Sequence, residues 1–274
     1  MKMSLTGRSV RILILSLYGL FLLFPMYWMI TSALKGPALV VQTPPELFPS
    51  EITFINFTHV LFTTRILTWI WNTLVVASIS AVGYVLFCSM AGYAFAKKEF
   101  PGKNAIFWLY ISTLMLPFFS FLVPLYLVIV DLNLINTYWA MILPAWSGPF
   151  GVFLMKQYMT SFPGELVDAS RIDGCNEFET FCRIVLPVCK PALVFLGVIS
   201  FVARWNDFLW PMLVSTRDDT RLLQVGIALF SQQFITDHGS VMAAGSIGAL
   251  PVVILFLIFQ RHIVGGINIG AIKG

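Results

Sequence analysis

Glu165-Leu166-Val167-Asp168-Ala169-Ser170-Arg171-Ile172-Asp173-Gly174, followed by Ile184-Val185-Leu186-Pro187, is a polar interlude set between two long apolar stretches. Pro163 pre-sets helical backbone geometry, Glu165 and Asp168 suit the positive first turn of a helix, and Gly174 is a natural stop after it. Asn176 followed by Glu179 has the spacing of a capping box and opens a second helix that ends near Pro187. The local reading is therefore helix, glycine hinge, helix over residues 161–190. Leu166, Ala169 and Ser170 form a face small enough for a partner to approach closely. A second reading stands beside it, an amphipathic hairpin lying passively in the membrane interface.

The rest of the chain decides where this interlude lies. The 274 residues are 58% hydrophobic and 11% charged, with a mean hydropathy of +0.85, against about 25% charged in ordinary soluble domains. Six stretches approach the ~20 apolar residues that cross a bilayer: 10–34, 67–96, 105–130, 138–159, 192–214 and 241–263. The first is basic at its start, with Lys2, Arg8 and Arg11, but is too long for a signal peptide and lacks a small-residue cleavage site. With the N-terminus inside, Lys2, Arg8, Arg11, Lys97, Lys98, Lys103, Lys156, Arg171, Arg183, Lys190, Arg261 and Lys273 fall on the cytoplasmic side. Lys35, Arg65, Arg217 and Arg221 fall outside. This positive-inside bias predicts both termini and the interlude in the cytosol, and Trp28, Trp69, Trp71, Trp139 and Trp210 fall near outer ends, as an aromatic belt does.

Several functions are disfavoured. The cations lie between apolar runs without a basic stripe, so a nucleic-acid partner is not expected. Cys88, Cys175, Cys182 and Cys189 form no CxxC pair and lie far in sequence from His59, His238 and His262, so no metal site is indicated. The recurrence of Cys175, Cys182 and Cys189 every seven residues fits helix packing in a reducing compartment. No GxxxxGK[ST] loop and no nucleophile-base set occurs, so nucleotide binding and catalysis are expected elsewhere. Pro117, Pro124, Pro144 and Pro149 interrupt the third and fourth stretches, which makes these candidates for lining a pathway or, equally, for kinked packing. Arg204 and Asp207, bracketed by Trp205, Asn206 and Trp210, are the notable intramembrane charges. Ionisable groups at that depth mark a pathway or satisfy each other. With Trp146 and Phe118 they make the candidate substrate path. The outer loop 35–66, with Pro37, Pro44, Pro45 and Pro49, is expected to be irregular and is long enough to meet an external partner; a second outer loop, 215–240, carries Asp218, Asp219 and Arg221, and neither reads as a folded soluble domain.

The interlude resembles the EAA loop of ABC importer permeases: Asp168-Ala169-Ser170, three residues, Gly174, nine residues, then Ile184, Leu186 and Pro187. Asp168 stands for the usual Glu and Ser170 for the second Ala. Ala91-Gly92-Tyr93-Ala94-Phe95-Ala96 with Phe100-Pro101-Gly102-Lys103, Asn136-Thr137-Tyr138-Trp139-Ala140, Trp205-Asn206-Asp207-Phe208 and the terminal Gly270-Ala271-Ile272-Lys273-Gly274 extend the likeness to carbohydrate permeases of the MalG type.

The resemblance implies a single all-α permease domain over 1–274, of the type I ABC importer fold, with six membrane helices in a bacterial cytoplasmic membrane. It implies that Glu165, Asp168, Ala169, Ser170, Gly174, Lys273 and Gly274 meet an ATPase. Two such ATPase subunits would bind ATP and magnesium, this chain needing no cofactor. A second homologous permease, an extracytoplasmic solute-binding protein, a carbohydrate substrate and the lipid bilayer complete the expected partners. Two rivals remain at this point: an ion-gradient-driven transporter, which would place acids on several helices and repeat its halves, and a membrane scaffold that transports nothing.

Overall fold

The computed structural model describes residues 5–36, 40, 42–162, 164–232 and 235–271, the side chains of 5–7, 171, 232, 235, 236 and 262–271 excepted. Helix dominates. The only strands among the described residues are a two-residue antiparallel pair, Ser231–Gln232 with Ile235–Thr236. Contacts group the chain into two units, residues 1–67 with 226–250 and residues 68–225 with 251–274.

In the first unit, α1 (Leu5–Ala33) is followed by a helix within the loop expected to be irregular, α2 (Ile55–Thr63). Buried Asn56 explains its position: its amide donates to the carbonyls of Ala33 at 2.9 Å and Lys35 at 2.8 Å. These carbonyls at the end of α1 would otherwise lack partners. The Lys35 side chain is fully buried, donates to the Glu46 carbonyl and lies 4.6 Å from the Trp28 ring centre. This helix has no side-chain cap, which is why the sequence gives no start signal for it.

The second unit holds most of α3 (Ile66–Lys97), then α4 (Lys103–Ser112), α5 (Phe119–Asp131), α6 (Trp139–Ala145) and α7 (Pro149–Thr160). Next come α8 (Glu165–Ile172) and α9 (Glu177–Thr180), which runs through a π-helical stretch, Phe181–Val185, into a last turn, Leu186–Val188. Then follow α10 (Lys190–Trp205), α11 (Leu209–Val214), α12 (Leu223–Ala228) and the long α13 (His238–Ala271). Both α12 and α13 run across the boundary between the units. One buried cluster, with Met155, Met159, Val167, Phe181, Val185 and Leu196, sits under the interlude. Another gathers Val76, Ile129, Ala140, Ile142, Trp210 and Leu222.

Three of the expected continuous spans are broken. The third stretch bends by 106° between α4 and α5, and the fourth and fifth part into α6 and α7 and into α10 and α11. Two of these breaks obey one rule, that a residue before proline is pushed out of the α region. Leu116, before Pro117, is extended at φ −81° and ψ 127°, and Gly148, before Pro149, at φ −164° and ψ 108°. Pro124 and Pro144 lie inside helices without ending them. Three helices, with Arg8–Ala33, Ile66–Lys97 and His238–Arg261, are singly long and apolar enough to cross a membrane, and up to five spans result if each of two bent pairs is one.

Candidate functional site

The interlude folds as a packed element. Gly164 accepts the first backbone bonds of α8 from Val167 and Asp168 at 2.8 and 3.1 Å. At the other end Gly174 adopts φ +80°, and the Cys175 N–H reaches back to the Ser170 carbonyl at 3.0 Å. That is the bond of a glycine-terminated helix end. Asn176 and Glu179 close the capping box, with bonds of 2.9 and 3.0 Å. The predicted helix, hinge and helix are all present. Pro163 lies outside the described residues.

The two faces of α8 differ. Val167 and Ser170 are 3% exposed, and the Ser170 hydroxyl donates to the Val167 carbonyl at 2.7 Å and shares a 2.9 Å hydrogen bond with buried Thr180. Ser170 is therefore not presented to a partner as its sequence position suggests: it staples the two short helices together. Leu166, Ala169 and Ile172 face outward, Ile172 at 87% exposure, and Phe178 across the hinge is also exposed. Glu165, Asp168 and Gly174 are exposed as well. Lys273 and Gly274 lie outside the described residues.

Two neighbouring lysines hold this element, Lys97 as the last residue of α3 and Lys98 just after it. The Lys97 ammonium donates to the Phe162 carbonyl at 2.8 Å, lies 4.3 Å from the Phe162 ring centre and acts electrostatically on Asp168. Lys98 pairs with Glu177, whose carboxylate also accepts from the Tyr93 hydroxyl at 3.2 Å. The Tyr93 ring packs on Phe181 at 5.4 Å. The sequence offered these lysines only as topology charges.

The second candidate feature is a cavity of about 330 Å³ lined by Tyr84, Phe118, Phe121, Ser147, Arg204 and Trp210 among others. Residues at or beside each of the three breaks line it: Phe118 at the first, Ser147 and Gly148 at the second, Arg204 and Trp210 on either side of the third. Gly148 backs onto Tyr84, where a Cβ would strike the phenol ring. Arg204 donates to Asp207 at 3.0 Å, and the Asp207 carboxylate also accepts from the backbone N–H groups of Phe208 and Trp210.

Not every predicted path residue reaches the cavity. Trp205 is buried and stacked on Phe201 at 5.7 Å, so it packs the core. Trp146 fits over Gly83 and donates to the Ile79 carbonyl at 3.2 Å. Asn206 is exposed and its amide turns back to the Val202 carbonyl at 2.9 Å. Tyr84 was missed, because a single aromatic in the middle of an apolar helix carries no periodic or motif signal.

The chain has relatives among known proteins. Residues 89–268 match the family described as "Binding-protein-dependent transport system inner membrane component". The arabinooligosaccharides transport system permease protein AraQ of Halalkalibacterium halodurans is 36% identical over 255 residues, 92% of this chain and 91% of the relative. The trehalose/maltose transport system permease protein MalG of Thermococcus litoralis is 33% identical over 263 residues, 94% of each. A crystal structure of a bacterial ABC transporter involved in the import of the acidic polysaccharide alginate superposes with a TM-score of 0.82 at 21% identity, over 95% of this chain and 99% of that one. The ion-gradient carrier and the scaffold are set aside by the family match. A mostly helical chain with several apolar helices of membrane-crossing length, matched to that family over most of its length, belongs to it: this is a permease of a binding-protein-dependent ABC importer.

Proposed function

We propose that the chain is one of two homologous permeases in a bacterial importer of a sugar, oligosaccharide or related glycoside. Its crossings are α1, α3, α4 with α5, α6 with α7, α10 with α11, and α13, in a single permease domain with both termini in the cytosol. In this arrangement α8 is the coupling helix, its Glu165, Asp168, Ala169 and Gly174 region seated on one of two ATPase subunits, and Lys273 and Gly274 reach the ATPase dimer. ATP and magnesium are bound there. A solute-binding protein delivers the sugar from outside to a path that includes the cavity beside Arg204, Asp207 and Phe118. Closure of the ATPases draws the coupling helices together and opens the path outward, and hydrolysis returns it.

The observation that carries this reading is the two-faced α8, locked inward by Val167 and Ser170 and bare outward at Leu166, Ala169 and Ile172. Apolar groups left in water on a rigid platform mark an interaction site. The sugar class is supported by the relatives above. The test is a photoreactive benzoylphenylalanine in place of Ile172: irradiation of membranes containing the whole transport system should capture the ATPase subunit. ATPase activity in the reconstituted system, assayed with arabino-oligosaccharides, maltose and trehalose, should rise with one of them. Capture of no ATPase in a correctly inserted complex refutes the docking, and activity indifferent to every sugar refutes the cargo class.

A further inference from the structure

We propose that Lys97 and Lys98 form a clamp that carries motion of the coupling loop directly into α3, making these two lysines positioning residues for transport. The inference rests on the coupling role of α8 given above. The two grips bracket that helix: Lys97 holds the Phe162 carbonyl before it, and Lys98 holds Glu177 after the Gly174 hinge. Both come from the last residues of α3 and the turn after it, an element distant in sequence from the loop.

The loop's connection to the next helix is a poor lever, because past Val188 the chain bends by 82° before α10. Across Gly174 the Ser170–Thr180 hydrogen bond joins α8 to α9, so that a hold on Glu177 is a hold on α8 as well. The lysine contacts differ in kind. A charged donor on a carbonyl is stronger than a neutral pair, and the Lys97 ammonium is also covered by the Phe162 ring. Lys98 lies 5.3 Å from the Tyr93 ring centre, and Tyr93 itself bonds Glu177 and packs on Phe181. The hold on Glu177 is therefore built from Tyr93 on α3 and Lys98 just past its end. Gly92 adds a third contact by letting α3 approach α7 so closely that a Cβ there would lie 2.6 Å from the Met155 Cβ.

Along α3 the displacement reaches the cavity, because the same helix carries Tyr84 into its wall. The route from ATPase to path then runs through a helix that does not flank the coupling loop in sequence. Helices are stiff along their axes, so a push at Lys97 is felt at Tyr84 without further contacts.

The test uses the complete importer in lipid nanodiscs, with Cys175 and Cys182 replaced by Ser and spin labels placed singly at Ile172 and at Val82 on α3. ATP with vanadate should change label mobility at both positions in the parent protein. In the double variant Lys97→Met, Lys98→Met, the change at Ile172 and the ATP hydrolysis rate should persist, while the change at Val82 falls about fivefold or more. A merely structural loss would reduce both. Lys98→Arg in place of Lys98→Met, which keeps charge and stacking, should restore part of the Val82 response in the Lys97→Met background. An unaltered Val82 response in the double variant overturns the clamp. No ATP response at Ile172 in the parent protein overturns the coupling reading itself, and the clamp with it. If the double variant does not assemble, the exchange Lys98→Glu with Glu177→Lys decides: a Val82 response above that of either single change supports the clamp, and none overturns it.

Discussion

Gly164 and Gly174 stand at the two ends of α8, and in both cases a Cβ would meet nothing within 4 Å. Space is therefore equal at the two positions. Only Gly174 has a positive φ, at +80°, and Gly164 occupies the cap position, its carbonyl accepting the first bonds of the helix. Replacing each by serine separates backbone strain from crowding. At Gly164 serine is a preferred cap, and the change should be neutral or stabilising by a few tenths of a kcal/mol. At Gly174 the left-handed conformation costs an L-residue about 1–2 kcal/mol. Gly174→Val should cost more, up to about 3 kcal/mol, because a β-branched side chain is a true outlier there. Gly174→Asn should cost least of the substitutions at that site. Hydrogen exchange is the assay, since α8 opens locally and each 1.4 kcal/mol speeds exchange about tenfold. Amides of 167–172 should exchange roughly 5–30 times faster in Gly174→Ser than in Gly164→Ser. Equal exchange in the two variants refutes the claim that conformation, rather than composition, makes Gly174 the hinge.

Ser170→Ala should cost about 1–3 kcal/mol, because the buried Thr180 hydroxyl loses its 2.9 Å partner. Adding Thr180→Val should recover most of that loss in a double-mutant cycle read by thermal inactivation in detergent. Gly92→Ala should destabilise by about 1–3 kcal/mol through collision with Met155 and the Lys156 backbone, whereas Gly19→Ala, which meets nothing within 4 Å, should gain up to about 1 kcal/mol in the same assay. Asp237 caps α13: burial works to raise its pKa, but the Ser240 N–H at 3.0 Å, the nearby charge of His59 and the Gly239 N–H outweigh burial and leave the pKa lowered. A depressed carboxyl contributes stability in full above its unfolded pKa and loses it as pH falls through the folded value. Acid titration of stability should therefore show a component that Asp237→Asn removes while the cap itself is kept.

What the sequence made legible was whatever depends on local chemistry. Asn176 and Glu179 cap each other whatever surrounds them, Gly174 answers to its own backbone, and Pro117 and Pro149 act on the residues just before them. Six apolar stretches and a charge bias follow from composition alone. Harder to see was which way a side chain turns once helices pack. Ser170 and Trp205 sit in motifs that invite a partner or a sugar, yet both are buried, Ser170 against Thr180 ten residues on and Trp205 with its ring stacked on Phe201. Distance in sequence hid α2, whose anchor Asn56 bonds the end of a helix more than twenty residues earlier. It also hid the partnership of Lys97 and Lys98 with Phe162 and Glu177.

The staple between Ser170 and Thr180 has a consequence for assembly. A segment that folds as it binds gives up part of its affinity to ordering entropy, which can amount to 2–5 kcal/mol. Here that ordering is complete beforehand, since Val167, Ser170 and Thr180 are already locked within the chain. A protein docking on Leu166, Ala169 and Ile172 meets a surface preset in shape. The affinity that ordering would have consumed is then kept by the docked complex, and the encounter does not wait on folding of the loop.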